Sequence, residues 1–172
     1  MTGPLASPDK AALARHCRRL VWRQALKAAG VSALPIVGVD LLVNTRLLAA
    51  TIDEISAAHG LTPAQLAQLP PALRTRVDDR ALELGSYLIG RVMTQSVLLM
   101  ALRTLGWRLG AQQAAKLAPI AGQVASAALS GWMFKRLCER HLAQCQDVRA
   151  ALPELPPVPM LALHYVAPPG PA

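Results

Sequence analysis

Aromatic residues are scarce in this chain, 3% of 172 positions with a single Phe. That scarcity excludes a stacking platform for single-stranded nucleic acid, and nucleic acid is not an expected partner. Charged residues reach only 16%, against roughly a quarter in ordinary globular domains. No run alternates apolar and polar residues with the aromatic and β-branched enrichment of a strand. Cysteine occurs only at 17, 138 and 145. An odd number at wide spacing builds no disulfide framework and fits a reducing, cytoplasmic setting. A Walker A loop is missing, so the chain cannot itself be a P-loop GTPase or ATPase. The GxSxG, HExxH and dinucleotide fingerprints are missing as well. A signal peptide is also not expected. The basic segment begins only at Lys10, and the apolar run behind it is broken by Pro35 and ends at Asp40, although Val31-Ser32-Ala33 mimics a cleavage site.

What is present is aliphatic. Hydrophobic residues make up 53%, and most of them are Ala, Leu and Val. Those residues favour helices, so the expected fold is all-α: a helical bundle with two long apolar, hairpin-like halves, membrane-associated or built around a large core. The net charge of +8 suits an anionic partner, and the apolar composition makes an anionic membrane surface the preferred one. A single helical domain is expected over 7–148. It is flanked by a disordered stretch at 1–6 and a Pro-rich disordered tail at 149–172.

Ser7-Pro8-Asp9 has the form of a helix start, and Gly30 that of a stop, which predicts a basic amphipathic helix over 7–30. Arg15, Arg19, Arg23 and Lys27 recur every four residues and share one face, with Arg18 beside them. They are the candidate lipid- or partner-binding residues. Leu13, Leu20, Val21 and Trp22 are assigned to apolar contacts. A Pro-Ile-x-Gly element at 35–38 opens a second helix, within 31–60, closed by Gly60. Asp40, Asn44 and Thr51 form a polar stripe along it, facing a partner or satisfied inside a core. Thr62-Pro63-Ala64-Gln65 is a capping box opening a short helix that Pro70-Pro71 ends. A long helix is predicted over 72–109. Arg91 within it would need a carboxylate if buried, and Asp40 is its candidate partner.

The Pro-Ile-x-Gly element recurs at 119–122 and opens a helix within 111–148. Residues 117–134 carry no charge, the only stretch that qualifies as a membrane span on that criterion. Small residues at Ala114, Ala118, Gly122, Ser126 and Ser130 would let a neighbour approach closely. Pro35, Gly38, Asp40, Pro119, Gly122 and Ser126 are therefore the expected helix-packing motif. Trp132 beside Lys135 and Arg136 suits a membrane interface. Cys138, His141 and Cys145 share one helical face, and His16-Cys17 could approach them to complete a zinc site. The spacing matches no usual zinc pattern, so packing is the expected role, with no cofactor. The pairs Asp53-Glu54 and Asp78-Asp79 are expected to be surface charges.

The Pro-x-x-Gly-x-Asp element at 35–40, the Leu/Ala helix ending in His59-Gly60-Leu61, and Lys116-Leu117-Ala118-Pro119-Ile120-Ala121-Gly122-Gln123 together resemble the YcjF-like, GTPase-associated helical domain family of unknown function in bacteria. The resemblance runs from about 25 to 145. It implies a non-enzymatic protein on the cytoplasmic face of the inner membrane, working with a separately encoded GTPase or self-associating. The family supplies no catalytic residues. The competing expectation is a soluble, cytoplasmic all-α interaction domain.

Overall fold

A computed structural model describes residues 8–32, 39–91 and 119–158, with side chains over 11–31, 45–91 and 127–158. The described residues are all-helical and contain no strand. Among the described residues the helices are, in chain order, α1 (Pro8–Ser32), α2 (Val39–Ala58), α3 (Pro63–Ala67), α4 (Pro71–Glu83) and α5 (Pro119–Ala151). Among the described residues no helix is long and apolar enough to cross a membrane. That includes α5, which holds nearly all of the charge-free stretch 117–134.

The long helices α1, α2 and α5 pack on one another, with the α1–α5 contact the most extensive. Gly131 lies against Ala25 and Ala29, while Cys17 is near Cys145, so α1 and α5 run antiparallel. Gly131 is a point of close approach between them. A β-carbon there would stand 3.1 Å from that of Ala29 and 3.3 Å from the Ala25 carbonyl oxygen. The core between the three helices is built from Cys17, Val21, Ala25 and Ala28 of α1, Leu48, Ile52 and Ile55 of α2, and Phe134, Leu137 and Leu142 of α5.

Local chemistry sets the shorter elements. Gly60 adopts φ +69°, and the Leu61 N–H donates back to the Ser56 carbonyl at 2.9 Å, which closes α2. The capping box opens α3 as expected: Thr62 Oγ1 accepts from Gln65 N–H at 3.3 Å, and Gln65 Oε1 accepts from Thr62 N–H at 3.1 Å. Pro70 and Pro71 separate α3 from α4. Arg74 donates to the carbonyls of Leu66 and Ala67 at the end of α3.

Several boundaries differ from expectation. The helix predicted over 72–109 ends at Glu83. Gly85 takes φ +62°, and Ser86 N–H returns to the Ala81 carbonyl at 2.8 Å, a stop motif like that after α2. Gln144 of α5 donates to the Leu84 carbonyl at 3.1 Å, so the end of α4 is capped from another helix. Residues 92–109 of that predicted helix, and the short helix expected from Ala111, lie outside the described residues. α1 passes through Gly30 to Ser32. Nothing lies near Gly30 to require a turn there.

The tail expected to be disordered from 149 begins instead with the last turn of α5. It continues as a segment packed on the bundle to residue 158, in which Leu152 and Leu155 are buried. Arg149 holds that segment by donating from both terminal nitrogens to the Pro156 carbonyl at 3.1 Å. Val158 reaches Gly60, where an added β-carbon would come within 2.9 Å of it. The remaining tail and residues 1–6 lie outside the described residues.

Candidate functional site

α1 carries no acidic residue from Lys10 to Ser32. Arg15, Arg18, Arg19, Arg23 and Lys27 are all exposed on it. The four-residue spacing of the predicted stripe drifts around the helix, because 3.6 residues complete a turn. His16, Arg23 and Lys27 lie close enough to Glu54 of α2 to favour that carboxylate's charged form. Burial outweighs these neighbours and raises the Glu54 pKa, and burial raises Asp53 too. Asp53 and Glu54 are thus half-buried, Glu54 on the side facing α1, contrary to the surface placement expected for them. Asp78 and Asp79 are exposed, as expected.

Trp22 departs furthest from its expected place. It was assigned to apolar contacts, yet it is 55% exposed, and Leu26, one turn on, is 64% exposed. Val21 takes the buried position. Beside them on α5, Trp132 is 56% exposed and Leu129 is exposed too. Lys135 joins the two helices, with its ammonium 5.2 Å from the centroid of the Trp22 ring, within cation–π range. It also pairs with Glu139 at 3.0 Å. Arg136 and Arg140 extend the positive charge along α5. Fully burying an apolar side chain of this size would stabilise by about 1.5–3 kcal/mol. Two Trp and two Leu of α1 and α5 are thus left in water, apolar surface suited to contact.

A second polar group lies inside the bundle. His141 is fully buried, and its Nε2 shares a 2.9 Å hydrogen bond with the Ser56 hydroxyl. The Cys145 thiol stands 3.5 Å from the same nitrogen. His141 Nδ1 has no hydrogen-bond partner among the described residues. The Ile52 carbonyl favours the charged ring slightly without closing a bond of good geometry. Burial, followed by the neighbouring His59, holds the pKa of His141 down to about 3. His59 is lowered as well, mainly by burial, while its Nδ1 bonds the Ile55 carbonyl at 2.8 Å.

The sequence singled out Cys138, His141 and Cys145, and they do share one face of α5; Cys17 does approach from α1. His16 does not join them: its surroundings include Glu54. Burial pushes Cys17 up to about 11 and raises both other thiols, so the three stay protonated. Among the described residues no group of three or more His, Cys, Asp or Glu is arranged to hold a metal ion.

Thr51 of the polar stripe is buried and donates to the Leu47 carbonyl at 2.7 Å within its own helix, while the side chains of Asp40 and Asn44 lie outside what is described. Arg91 is exposed, so burial creates no demand for a carboxylate there. Pro119 is the first described residue of α5. Gly122 and Ser126 lie in α5 and Asp40 in α2, but their side chains, like Pro35 and Gly38 as a whole, lie outside what is described. Of the small-residue stripe only Ser130 is described with its side chain; beside it, Gly131 lies against Ala25 and Ala29 of α1. No protein-family model, no curated protein and no solved structure matches the chain.

Proposed function

We propose that this chain is a non-enzymatic helical module that binds an anionic membrane surface peripherally, with α1 as the binding element. The observation that carries the proposal is the run of exposed Arg15, Arg18, Arg19, Arg23 and Lys27 on a helix with no acid between Lys10 and Ser32. A basic helix of this kind gathers about 1 kcal/mol per Lys or Arg near an anionic leaflet, within a Debye length of it. The resemblance of 35–40 and 116–123 to the YcjF-like family supports the same reading. It extends the proposal to the cytoplasmic face of a bacterial inner membrane and to work beside a separately encoded GTPase.

Co-sedimentation of the full chain with vesicles tests it. The chain is expected to pellet with phosphatidylcholine vesicles containing phosphatidylglycerol, and not with phosphatidylcholine alone. Binding should fall steeply as salt rises from 50 to about 300 mM, because screening shortens the reach of exposed charge. A chain that stays in the supernatant with anionic vesicles at low salt would refute the proposal.

A further inference from the structure

Electrostatic attraction alone would let α1 meet the membrane in any rotation that presents its arginines. The seam between α1 and α5 fixes one. We propose that Trp22 and Leu26 of α1, with Leu129 and Trp132 of α5, form an insertion surface that enters the headgroup and upper acyl region of an anionic bilayer, so that both helices lie flat on it. This rests on the membrane-surface reading above and names the side chains that make contact.

Geometry and charge together support a lipid occupant. Trp22, Leu26, Leu129 and Trp132 are all exposed, and Lys135 lies over the Trp22 ring, which brings α5 to the edge of the α1 aromatic surface. Trp22 and Leu26 are one helical turn apart, as are Leu129 and Trp132, so each pair occupies one face of its own helix. Gly131, next to Trp132 in sequence, lies against Ala25 and Ala29, so the two helices are close at the level of the pairs. Positive charge borders the surface along its length: Arg15, Arg18, Arg19 and Arg23 on one helix, Lys135 and Arg136 on the other. α5 has no acid from Pro119 to Cys138, and the first one, Glu139, is paired with Lys135. Indole rings settle at the headgroup level, where one edge is wet and the ring body is apolar, and long basic side chains reach from there to the lipid phosphates. A broad anionic surface accommodates basic groups spread along a whole helix.

Single-tryptophan chains read the insertion directly. Trp107→Phe combined with Trp132→Phe leaves Trp22 as reporter, and Trp107→Phe combined with Trp22→Phe leaves Trp132. On phosphatidylglycerol-containing vesicles with bromines high on the acyl chains, both reporters are expected to shift to shorter wavelength and lose at least half their emission. Trp22→Ala with Trp132→Ala should weaken vesicle binding about tenfold or more with unchanged helical circular dichroism. Leu82→Ala, at an exposed apolar site on α4, should change binding less than twofold. Chains that pellet with the vesicles while both reporters stay unquenched would overturn the insertion surface, leave electrostatic binding standing, and assign the seam to a protein partner. A chain that never pellets would overturn the membrane reading itself.

Discussion

His141 carries a pH dependence that its surroundings set. Its ring is kept neutral by burial, with its pKa down to about 3 from an ordinary 6.5. Between those two values the unfolded chain binds a proton that the folded chain refuses. Folding stability from this group is therefore complete above pH 6.5 and is lost as pH falls toward 3, by at most about 1.4 kcal/mol per pH unit. His59 acts in the same direction. Asp53 and Glu54, whose pKa values are raised, act in the opposite direction, near and above their ordinary values of 3.8 and 4.5. The range from pH 6.5 to 5 isolates the histidines best. The urea midpoint of the natural chain should drop across that range. His141→Gln removes the titration and offers an amide to Ser56, so its midpoint should drop visibly less, whatever its starting stability. An equal slope in both proteins would place the pH dependence elsewhere. The sequence showed that Cys138, His141 and Cys145 share a face. It could not show that the face points wholly inward with Ser56 across from it, since that depends on how α2 and α5 dock.

At the scale of elements, glycine has different meanings at different positions. Gly60 and the Thr62–Gln65 box were legible because each terminator acts on its own few residues. Gly85 went unread as a stop, since the apolar pattern continues beyond it and a helical glycine costs only about 1 kcal/mol. Gly30 was read as a stop and is not one. Whether a glycine ends a helix, lets one pass or admits a neighbour is decided by tertiary contacts, and Gly30 and Gly131 show the contrast within packed helices. Gly30 has nothing within 4 Å of a β-carbon, so Gly30→Ala should stabilise by roughly 0.5–1 kcal/mol through helix propensity and a less flexible unfolded chain. Gly131→Val would drive two methyl groups toward Ala29 and the Ala25 carbonyl, and should destabilise by about 1–3 kcal/mol. Chemical denaturation of both variants checks the pair, and matching signs would mean that the α1–α5 approach is looser than described. The packed segment at 152–158 was hidden for the same kind of reason. Prolines correctly announced the end of α5, but the burial of Leu155 depends on the surface it meets.

For the whole molecule, where charge sits matters more than how much of it there is. The net charge of +8 was plain from composition, and the exposure of the α1 arginines followed the predicted stripe. The exposed Trp22 and Trp132 were harder to place. An amphipathic helix whose apolar face is wide gives no sequence sign of which apolar residue will be left outside. α4 carries both signs, with Arg80 paired to Glu83 at 2.7 Å and Arg76 to Glu154 at 3.1 Å, and has Asp78 and Asp79 exposed among them. α1 carries only one sign beyond its first turn. Two substitutions that each change the net charge by two units separate total charge from its placement. If total charge governed association, Arg15→Gln with Arg19→Gln and Asp78→Asn with Asp79→Asn would shift vesicle affinity by similar amounts in opposite directions. If the α1 face governs it, the first pair removes about 2 kcal/mol, roughly 30-fold in affinity, because both charges sit within a Debye length of the phosphates. The second pair then acts on a helix whose charges are already mixed, and should change affinity less than threefold. Titration of both variants against phosphatidylglycerol vesicles at about 0.1 M salt is expected to give this asymmetry, and symmetric shifts would reduce the binding face to a general attraction between a basic protein and an acidic surface.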